Sequence, residues 1–371
     1  MIESKKNTPL PLVSAIIPAY NAARTIGETL ESVLLQTYQN LEVVVVDDGS
    51  TDGTASIVKK FAERDQPVIL IQQSNAGVAA ARNRALQSAH GDFVAPIDAD
   101  DIWFPRKIEK QVKRILSAGA DVGLVYAWSA HIDEEGGLTG GFNAGNREGS
   151  VLIDLVYRDL IGNGSVPLIR RACLDAIGGY NTFLRDRDAQ GCEDWDIALR
   201  IAERYKFLVV PEILVGYRQA FGSMSSLGST MEKSYNLTTD SIKRSHPEIP
   251  EIVYQWSKAD FLYYLAQGAR QGGKQWRALA CILKAAMLDP ESMMKKDHFH
   301  RSIFAILLSI PFQAIAALLW TPKRWYQFRK RDPLNRKVQS LVELNLKIKS
   351  EWNAWWGLYE HRLSCLAVGQ K

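Results

Sequence analysis

Cysteine is scarce in this chain of 371 residues, and the few cysteines do not cluster. They are Cys173, Cys192, Cys281 and Cys365. No two of them form a Cys-x-x-Cys pair, which argues against a zinc site and against a disulfide framework. Residues 1–12 contain no apolar core of signal-peptide length. Dispersed thiols and the absence of such a leader predict a cytoplasmic protein.

Two nucleotide-binding signatures are also missing. The pattern Gly-x-x-x-x-Gly-Lys-Ser/Thr of a phosphate-binding loop occurs nowhere. The turn after the first predicted strand reads Pro18-Ala19-Tyr20-Asn21, without the glycines that let a dinucleotide pyrophosphate approach the backbone.

The formal net charge is only +4, and the first half of the chain has no long basic run. We therefore expect no nucleic-acid partner.

Short apolar runs alternate with helical patterns through roughly the first third of the chain. The runs that we interpret as strands cover 13–17, 41–46, 68–71, 93–97 and 122–127. This alternation predicts an α/β fold with a mostly parallel sheet flanked by helices. After about residue 230 the pattern is helical. We therefore predict an N-terminal tail over 1–12, a sheet-based catalytic domain over 13–230 and a helical C-terminal region over 231–371.

Acidic residues follow two of the predicted strands. Asp47-Asp48 ends the second strand, and Asp98-Ala99-Asp100-Asp101 ends the strand that begins at Phe93. Ligands of open α/β sheets bind beyond the carboxyl ends of the strands, so these carboxylates are expected at one site. Like charges so close together need a counter-ion, and hard oxygen ligands favour Mg²⁺ or Mn²⁺. A surface turn or a helix cap is the alternative interpretation of Asp-x-Asp taken alone.

A second acidic cluster, Glu193-Asp194-Trp195-Asp196, opens a predicted helix after a charged loop. Acidic residues in a first helical turn are often only caps that interact with the helix dipole. The same cluster also suits an acceptor site. There, one carboxylate takes a proton from a hydroxyl while the aromatic face of Trp195 holds the acceptor. Asp196 is predicted to be structural, as a cap or as a partner of Arg200 four residues on.

Several motifs in a fixed order resemble the family 2 inverting glycosyltransferases, which have the GT-A fold and use nucleotide sugars. The resemblance covers about residues 12–225. The matching segments are Val-Ser-Ala-Ile-Ile-Pro-Ala-Tyr-Asn at 13–21, Val-Asp-Asp-Gly-Ser-Thr-Asp-Gly-Thr at 46–54, Asn-Ala-Gly-Val-Ala-Ala-Ala-Arg-Asn at 75–83, Asp-Ala-Asp-Asp at 98–101, Gly-Gly-Tyr at 178–180 and Glu-Asp-Trp-Asp at 193–196.

This resemblance implies roles for individual residues. The implied nucleotide-sugar site comprises Pro18, Ala19, Tyr20, Asp48, Asn75, Arg82 and Asp98. The implied metal site comprises Asp100, with Asp98 and Asp101 beside it, and the metal is Mn²⁺ or Mg²⁺. The implied catalytic base is Asp194, which Glu193 orients, and Trp195 contacts the acceptor.

The implied reaction moves a sugar from a nucleoside diphosphate donor, expected to be UDP-linked, to an acceptor hydroxyl with inversion at the anomeric carbon. The expected acceptor is a cell-envelope glycan, a polysaccharide or a lipid-linked saccharide. Residues 217–218 and 222–226 resemble the segment that folds over the diphosphate, although a plain linker explains them equally well. Two other functions stay open: a non-catalytic sugar-binding module and, with less support, a nucleotidyltransferase.

The C-terminal region carries a candidate membrane element. Residues 303–320 are nearly all apolar, and basic and aromatic residues follow as far as Arg331. The segment Ile303–Arg331 therefore predicts contact with a membrane surface, at the inner face of the plasma membrane. A buried helix and a membrane span are the alternatives. Residues 334–363 carry an apolar stripe that we interpret as packing within the chain, and the oligomeric state stays open.

Overall fold

The structure is a computed structural model that describes residues 9–219 and 228–296 and, in part, residues 299–365. Its strands are β1 (Val13–Ala19), β2 (Leu41–Asp47), β3 (Val68–Gln72), β4 (Phe93–Pro96), β5 (Ile102–Trp103), β6 (Val122–Ile132), β7 (Leu138–Asn143), β8 (Leu168–Arg170) and β9 (Lys206–Arg218). The first four strands and β6 begin at the predicted residues, because their β-branched and apolar runs suit strands buried on both faces.

The described strands form one mixed sheet in the order β3-β2-β1-β4-β8-β6-β9-β5, with β7 paired to β6. The N-terminal strands β1 to β4 pair in parallel, as predicted. The antiparallel strand β8 then lies between β4 and β6. Strand β9 runs parallel to β6 and pairs antiparallel with the short β5. The α/β architecture of a sheet flanked by helices is confirmed, and its second half is more mixed than the sequence predicts.

The register brings the polar strand ends to one edge. In the β1–β2 pair, Ala19 lies opposite Asp47, and in the β1–β4 pair Ile16 lies opposite Pro96. Parallel neighbours expose their carboxyl ends at the same edge, so the turns after β1, β2 and β4 are adjacent. Backbone and side-chain hydrogen bonds join the first two turns, since Asn21 N–H donates to Ser50 Oγ at 2.9 Å.

Helices cover the sheet and continue beyond it. They are α1 (Ile26–Leu34), α2 (Thr54–Arg64), α3 (Val78–Ser88), α4 (Lys107–Leu116), α5 (Leu152–Tyr157), α6 (Arg171–Ile177), α7 (Phe183–Asp186), α8 (Glu193–Ala202), α9 (Gly228–Ser245), α10 (Glu251–Gln271), α11 (Gln275–Leu288) and α12 (Pro290–Lys295). The buried apolar residues of sheet and helices form one hydrophobic core, which extends into α9–α12.

In the C-terminal region, helices α10 and α11 pack against each other. Gly272 and Gly273 lie between these helices, and Gly273 has a φ of +76°, which a residue with a side chain rarely adopts. Asp289 caps α12 by accepting a hydrogen bond from Ser292 N–H. The same carboxylate binds the buried guanidinium of Arg362 through two bonds of 2.7 Å. Arg362 is thereby bound to the junction between α11 and α12.

The predicted membrane element falls mostly outside the residues that the structure describes, as do residues 222–226 and most of 334–363. Among the helices that are described, none is both long enough and apolar enough to cross a bilayer.

Candidate active site

Arg82 joins two acidic residues that are far apart in the chain. Helix α3 places its guanidinium almost fully out of solvent, with 3% of the side chain exposed. One nitrogen donates to Asp98 Oδ1 at 2.6 Å, and another donates to Asp194 Oδ1. The ring of Tyr180 lies 5.1 Å from the guanidinium carbon. Burial alone would disfavour the cation, but the two carboxylates raise the pKa of Arg82 and keep it charged.

Asp194 lies in the first turn of α8 and lines a cavity. Burial raises the pKa of its carboxyl to about 6, and the nearby charge of Arg82 opposes that rise. The side chain still exposes 32% of its surface, so it is reachable from the cavity. A reachable carboxylate that is ionised near neutral pH can accept a proton from a bound hydroxyl.

The segment between α5 and β8 approaches this carboxylate closely at Gly164. A Cβ atom built at Gly164 would lie 2.6 Å from Arg82 Nη2 and 2.8 Å from Asp194 Oδ1, too close for any side chain. Glu193 is buried, and its Oε2 accepts a hydrogen bond from Gly191 N–H at 2.8 Å. Sequence reasoning did not select Gly164, because a glycine in a flexible loop carries no distinctive local signal.

Trp195 and Asp196, which follow Asp194 in the first turn of α8, both contact other residues of the fold. The indole N–H of Trp195 donates to Leu155 O at 2.8 Å, and its ring stacks on Tyr235 at 5.3 Å. The ring is therefore largely buried, but Trp195 also lines the cavity that contains Asp194, and its contact with an acceptor stays a prediction. Asp196 forms an ion pair of 2.9 Å with Arg200, which confirms the predicted partnership.

The carboxylates in the turn after β4 have different hydrogen-bond partners. Asp101 is fully buried, and its oxygens accept hydrogen bonds from Arg218 N–H at 2.8 Å and from the Ser165 hydroxyl at 2.5 Å. The Ser165 hydroxyl also accepts from Asp98 N–H at 2.9 Å. These two donors fit a structural role for Asp101, and its predicted place beside a metal stays a prediction. Sequence reasoning missed Ser165, a small residue with no motif around it.

Asp100 lies close to the negative charge of Asp98. Burial and the neighbouring charge of Asp98 raise the pKa of Asp100 to about 6. A divalent cation would relieve this repulsion, and carboxylate oxygen suits Mg²⁺ or Mn²⁺. Within the described part of the chain, no three His, Cys, Asp or Glu side chains form a ready cage. Because Mg²⁺ commonly uses one or two carboxylates together with substrate phosphates, Asp100 fits as a protein ligand.

The turns after β1 and β2 form the remainder of the predicted nucleotide site. Tyr20 exposes 53% of its surface, while Pro18 and Ala19 are buried in β1. Asp48 is buried, and its carboxylate accepts from Gln73 Nε2, Ala76 N–H and Gly77 N–H, each at 2.7 Å. Asp48 therefore braces the turn that opens α3.

A residue from the second half of the chain reaches that turn. Arg185 donates to the side-chain oxygen of Asn75 at 2.6 Å. The exposed ring of Tyr20 and the braced turn leave a polar and aromatic surface at this edge of the sheet. Arg185 was not predicted, because nothing in its local sequence indicates a contact 110 residues away.

A cavity of about 450 Å³ extends from the Arg82 bridge toward the C-terminal helices. Asp98 and Asp194 line it together with side chains of α9 and α10. The sequence expects Asp48, Asp100 and Asp194 around one cleft. Of these three, Asp194 lines this cavity, whereas Asp48 and Asp100 belong to the neighbouring strand ends.

Comparison with known proteins relates this geometry to a family. The model of glycosyl transferase family 2 matches residues 14–149. Glycosyltransferase GlyA of Streptococcus pneumoniae is 40% identical over 113 residues, which are 30% of this chain and 16% of GlyA. TuaG of Bacillus subtilis, provisionally named as a teichuronic acid biosynthesis glycosyltransferase, is 44% identical over 107 residues, 29% of this chain and 42% of TuaG. The chain thus matches less than half the length of either relative.

The fold also has a solved counterpart. The crystal structure of TarS from Staphylococcus aureus superimposes with a TM-score of 0.52 at 19% sequence identity, over 80% of this chain and 54% of TarS. At that identity the likeness speaks for the fold alone. Residues 14–149 are thus similar to the glycosyl transferase family 2 domain, and the fold is of the GT-A type.

Proposed function

We propose that this protein transfers a sugar from a nucleoside diphosphate donor to an acceptor hydroxyl, with inversion at the anomeric carbon. The observation that supports this most is the Arg82 bridge, which holds Asp98 from the sheet edge beside Asp194 of α8. The bridge brings an aspartate from a strand end of the matched domain close to a carboxylate that solvent can reach. A single-displacement reaction needs such groups beside the donor and the acceptor.

In this proposal, Asp194 acts as the general base. It takes the proton of the acceptor hydroxyl while the hydroxyl oxygen forms a bond to the anomeric carbon. The bond from that carbon to the diphosphate breaks on the opposite face, and its electron pair leaves with the nucleoside diphosphate. Arg82 supports the ionised form of Asp194, since its charge opposes the effect of burial on that carboxyl.

Asp100 would hold a divalent cation, Mn²⁺ or Mg²⁺, and such an ion supplies charge neutralisation for the leaving diphosphate. Tyr20 and the turn that Asp48 braces would contact the nucleoside, with Asn75 beside them. The expected donor is UDP-linked. Arg218 supports the acidic turn, because its Nε donates to Asp100 O at 2.7 Å and its backbone N–H donates to Asp101.

The proposed acceptor is a glycan or lipid-linked saccharide of the cell envelope. The name of TuaG, which refers to teichuronic acid biosynthesis, supports this class. The division into a catalytic domain over 13–230 and a helical region over 231–371 is part of the proposal. Membrane contact through Ile303–Arg331 stays a prediction from the sequence.

The test measures release of nucleoside diphosphate from a panel of UDP- and GDP-sugars with Mn²⁺. We expect Asp194→Asn to lower kcat by about 10²- to 10⁴-fold, the usual contribution of a general base, with little change in donor affinity. Asp186→Asn, at an exposed site in α7, is the matched control and should retain full activity.

Equal activity in Asp194→Asn would remove this residue from the mechanism. Binding of nucleotide sugars without turnover would favour the non-catalytic module. Release of pyrophosphate from a nucleoside triphosphate would instead indicate nucleotidyl transfer.

A further inference from the structure

We propose that one face of α10 binds the acceptor, and that the acceptor is a saccharide chain, one of whose sugar rings stacks on Tyr264 of this helix. This inference rests on the proposed function. We call the face the α10 wall and define it as Asp260, Tyr263, Tyr264 and Gln267. All four side chains line the cavity that contains Asp194. Their spacing places them on one side of the helix, because residues three and four positions apart share a face.

The chemistry of the α10 wall suits a sugar. Tyr264 exposes 47% of its surface although it lines a cavity, and Tyr263 and Gln267 are partly exposed beside it. A tyrosine ring offers an apolar face for the C–H side of a pyranose, and its hydroxyl offers a hydrogen-bonding group. Asn143 also lines the cavity, and an amide side chain can both donate to and accept from sugar hydroxyls.

The size of the cavity supports more than one sugar unit. Its volume of about 450 Å³ lies within the range of roughly 300–1,000 Å³ that is typical of small-molecule sites. Asp194 and the α10 wall both line this space. A chain whose terminal hydroxyl reaches Asp194 would therefore lay its preceding unit along α10.

A stack of aromatic rings fixes the α10 wall relative to the proposed base. Trp195 follows Asp194 directly and stacks on Tyr235 of α9 at 5.3 Å, with the ring planes 2° apart. Tyr235 stacks on Phe261 of α10 at 4.1 Å, and Phe261 lies 6.4 Å from Tyr264. Buried stacked rings occupy defined positions, so the spacing between the base and the wall is built into the core.

The carboxylate of the α10 wall is paired with two cations, so Tyr264 and Gln267 are the groups of this wall that suit sugar hydroxyls. Asp260 lies between Lys296 Nζ at 2.6 Å and Arg158 Nε at 3.7 Å. Burial opposes its ionisation, but the charges of Lys296 and Arg158 hold the pKa of Asp260 below its usual range.

The α10 wall lies outside residues 14–149, which match the family model. Acceptor selection would therefore depend on a part of the chain that differs from the shared domain. This location explains how a common donor site can serve an acceptor that is specific to this protein.

The experiment uses the full chain with its preferred nucleotide sugar and Mn²⁺, and p-nitrophenyl glycosides of a panel of disaccharides as acceptor probes. Two rates are measured: donor hydrolysis without acceptor, and transfer to the probe as a function of probe concentration. Direct binding of each probe is followed by ligand-observed NMR. Variants are Tyr264→Ala, Tyr264→Phe and Gln267→Ala. The control is Trp276→Ala, an exposed aromatic of α11 that does not line the cavity.

We expect Tyr264→Ala to raise the acceptor KM about tenfold, which corresponds to loss of one ring-stacking contact, and to lower transfer more than hydrolysis. Tyr264→Phe should retain most of the affinity because the ring remains. Gln267→Ala should raise the acceptor KM by a smaller factor, and Trp276→Ala should match the wild type. Thermal melting of every variant shows whether the fold is intact.

The inference is overturned if Tyr264→Ala and Gln267→Ala transfer to the probe with the wild-type KM, or if no disaccharide probe binds the wild type. A wild type that binds disaccharides in a Tyr264-dependent way but turns over no nucleotide sugar would overturn the proposed function and support the α10 wall as a saccharide site.

Discussion

Replacing Arg82 by glutamine tests the charge interaction between Arg82 and the proposed base. The substitution removes the positive charge between Asp98 and Asp194 and keeps a hydrogen-bonding side chain. Two unit charges about 4 Å apart interact by about 4 kcal/mol at an effective dielectric constant near 20. Water in the cavity reduces this value, since Asp194 exposes 32% of its side chain. Loss of an adjacent cation should then raise the pKa of a carboxyl by about 1–3 units.

The sign of the pH effect follows from the role of the base. Asp194 must be ionised to accept a proton, and its pKa of about 6 places the acid limb of activity near pH 6. In Arg82→Gln that limb should move to roughly pH 7–9. At pH 7, activity should fall by roughly 2- to 100-fold, and it should recover as the pH rises above the new pKa.

The assay is kcat/KM for nucleoside diphosphate release from pH 5 to 9.5. Arg82→Lys retains a positive charge and should shift the limb less. Arg84→Gln is the matched control, because Arg84 is an exposed residue of the same helix and donates to Gln87. An active Arg82→Gln enzyme with the wild-type acid limb would refute the assignment of Asp194 as the titrating base.

Two further predictions concern the acidic turn. Asp100→Asn should weaken UDP binding in the presence of Mn²⁺ by about tenfold or more, with a smaller effect when the metal is chelated, because it removes an oxygen ligand charge. Isothermal titration calorimetry with and without Mn²⁺ measures the affinity for UDP. Asp121→Asn, at an exposed site, is the control. If Mn²⁺ strengthens UDP binding by the same factor in Asp100→Asn as in the wild type, the prediction is contradicted. Arg218→Met should lower the free energy of unfolding by about 3 kcal/mol, because it deletes charged donors to Asp100 O and Glu134 O within a buried site. Urea denaturation measures the loss against exposed Arg64→Met, and equal stability of the two variants would argue against this role.

Local patterns in the sequence predict local features well. The strands β1 to β4 and β6 begin at the predicted residues, because an apolar run suits a buried strand wherever the strand lies in the sheet. The pair of Asp196 with Arg200 is likewise local, since four residues along a helix bring two side chains to one face.

Features that depend on distant parts of the chain were less predictable. The antiparallel insertion of β8 between β4 and β6 makes the sheet mixed, and no local pattern specifies which strands become neighbours. The inward direction of Asp101 depends on Ser165 and on Arg218, which lie 64 and 117 residues away. The covered ring of Trp195 depends on Tyr235, which belongs to the helical region.

The sequence by itself determined the alternation of strands and helices, the acidic ends of two strands and the acidic start of α8, because each follows from residues within a few positions of one another. Only the tertiary structure decided that Arg82 would pair with Asp194, 112 residues away, as well as with Asp98, and that α10 would complete the cavity. The physical reason is that a buried charge is stable only beside its partners, and those partners are brought together by the packing of the whole chain.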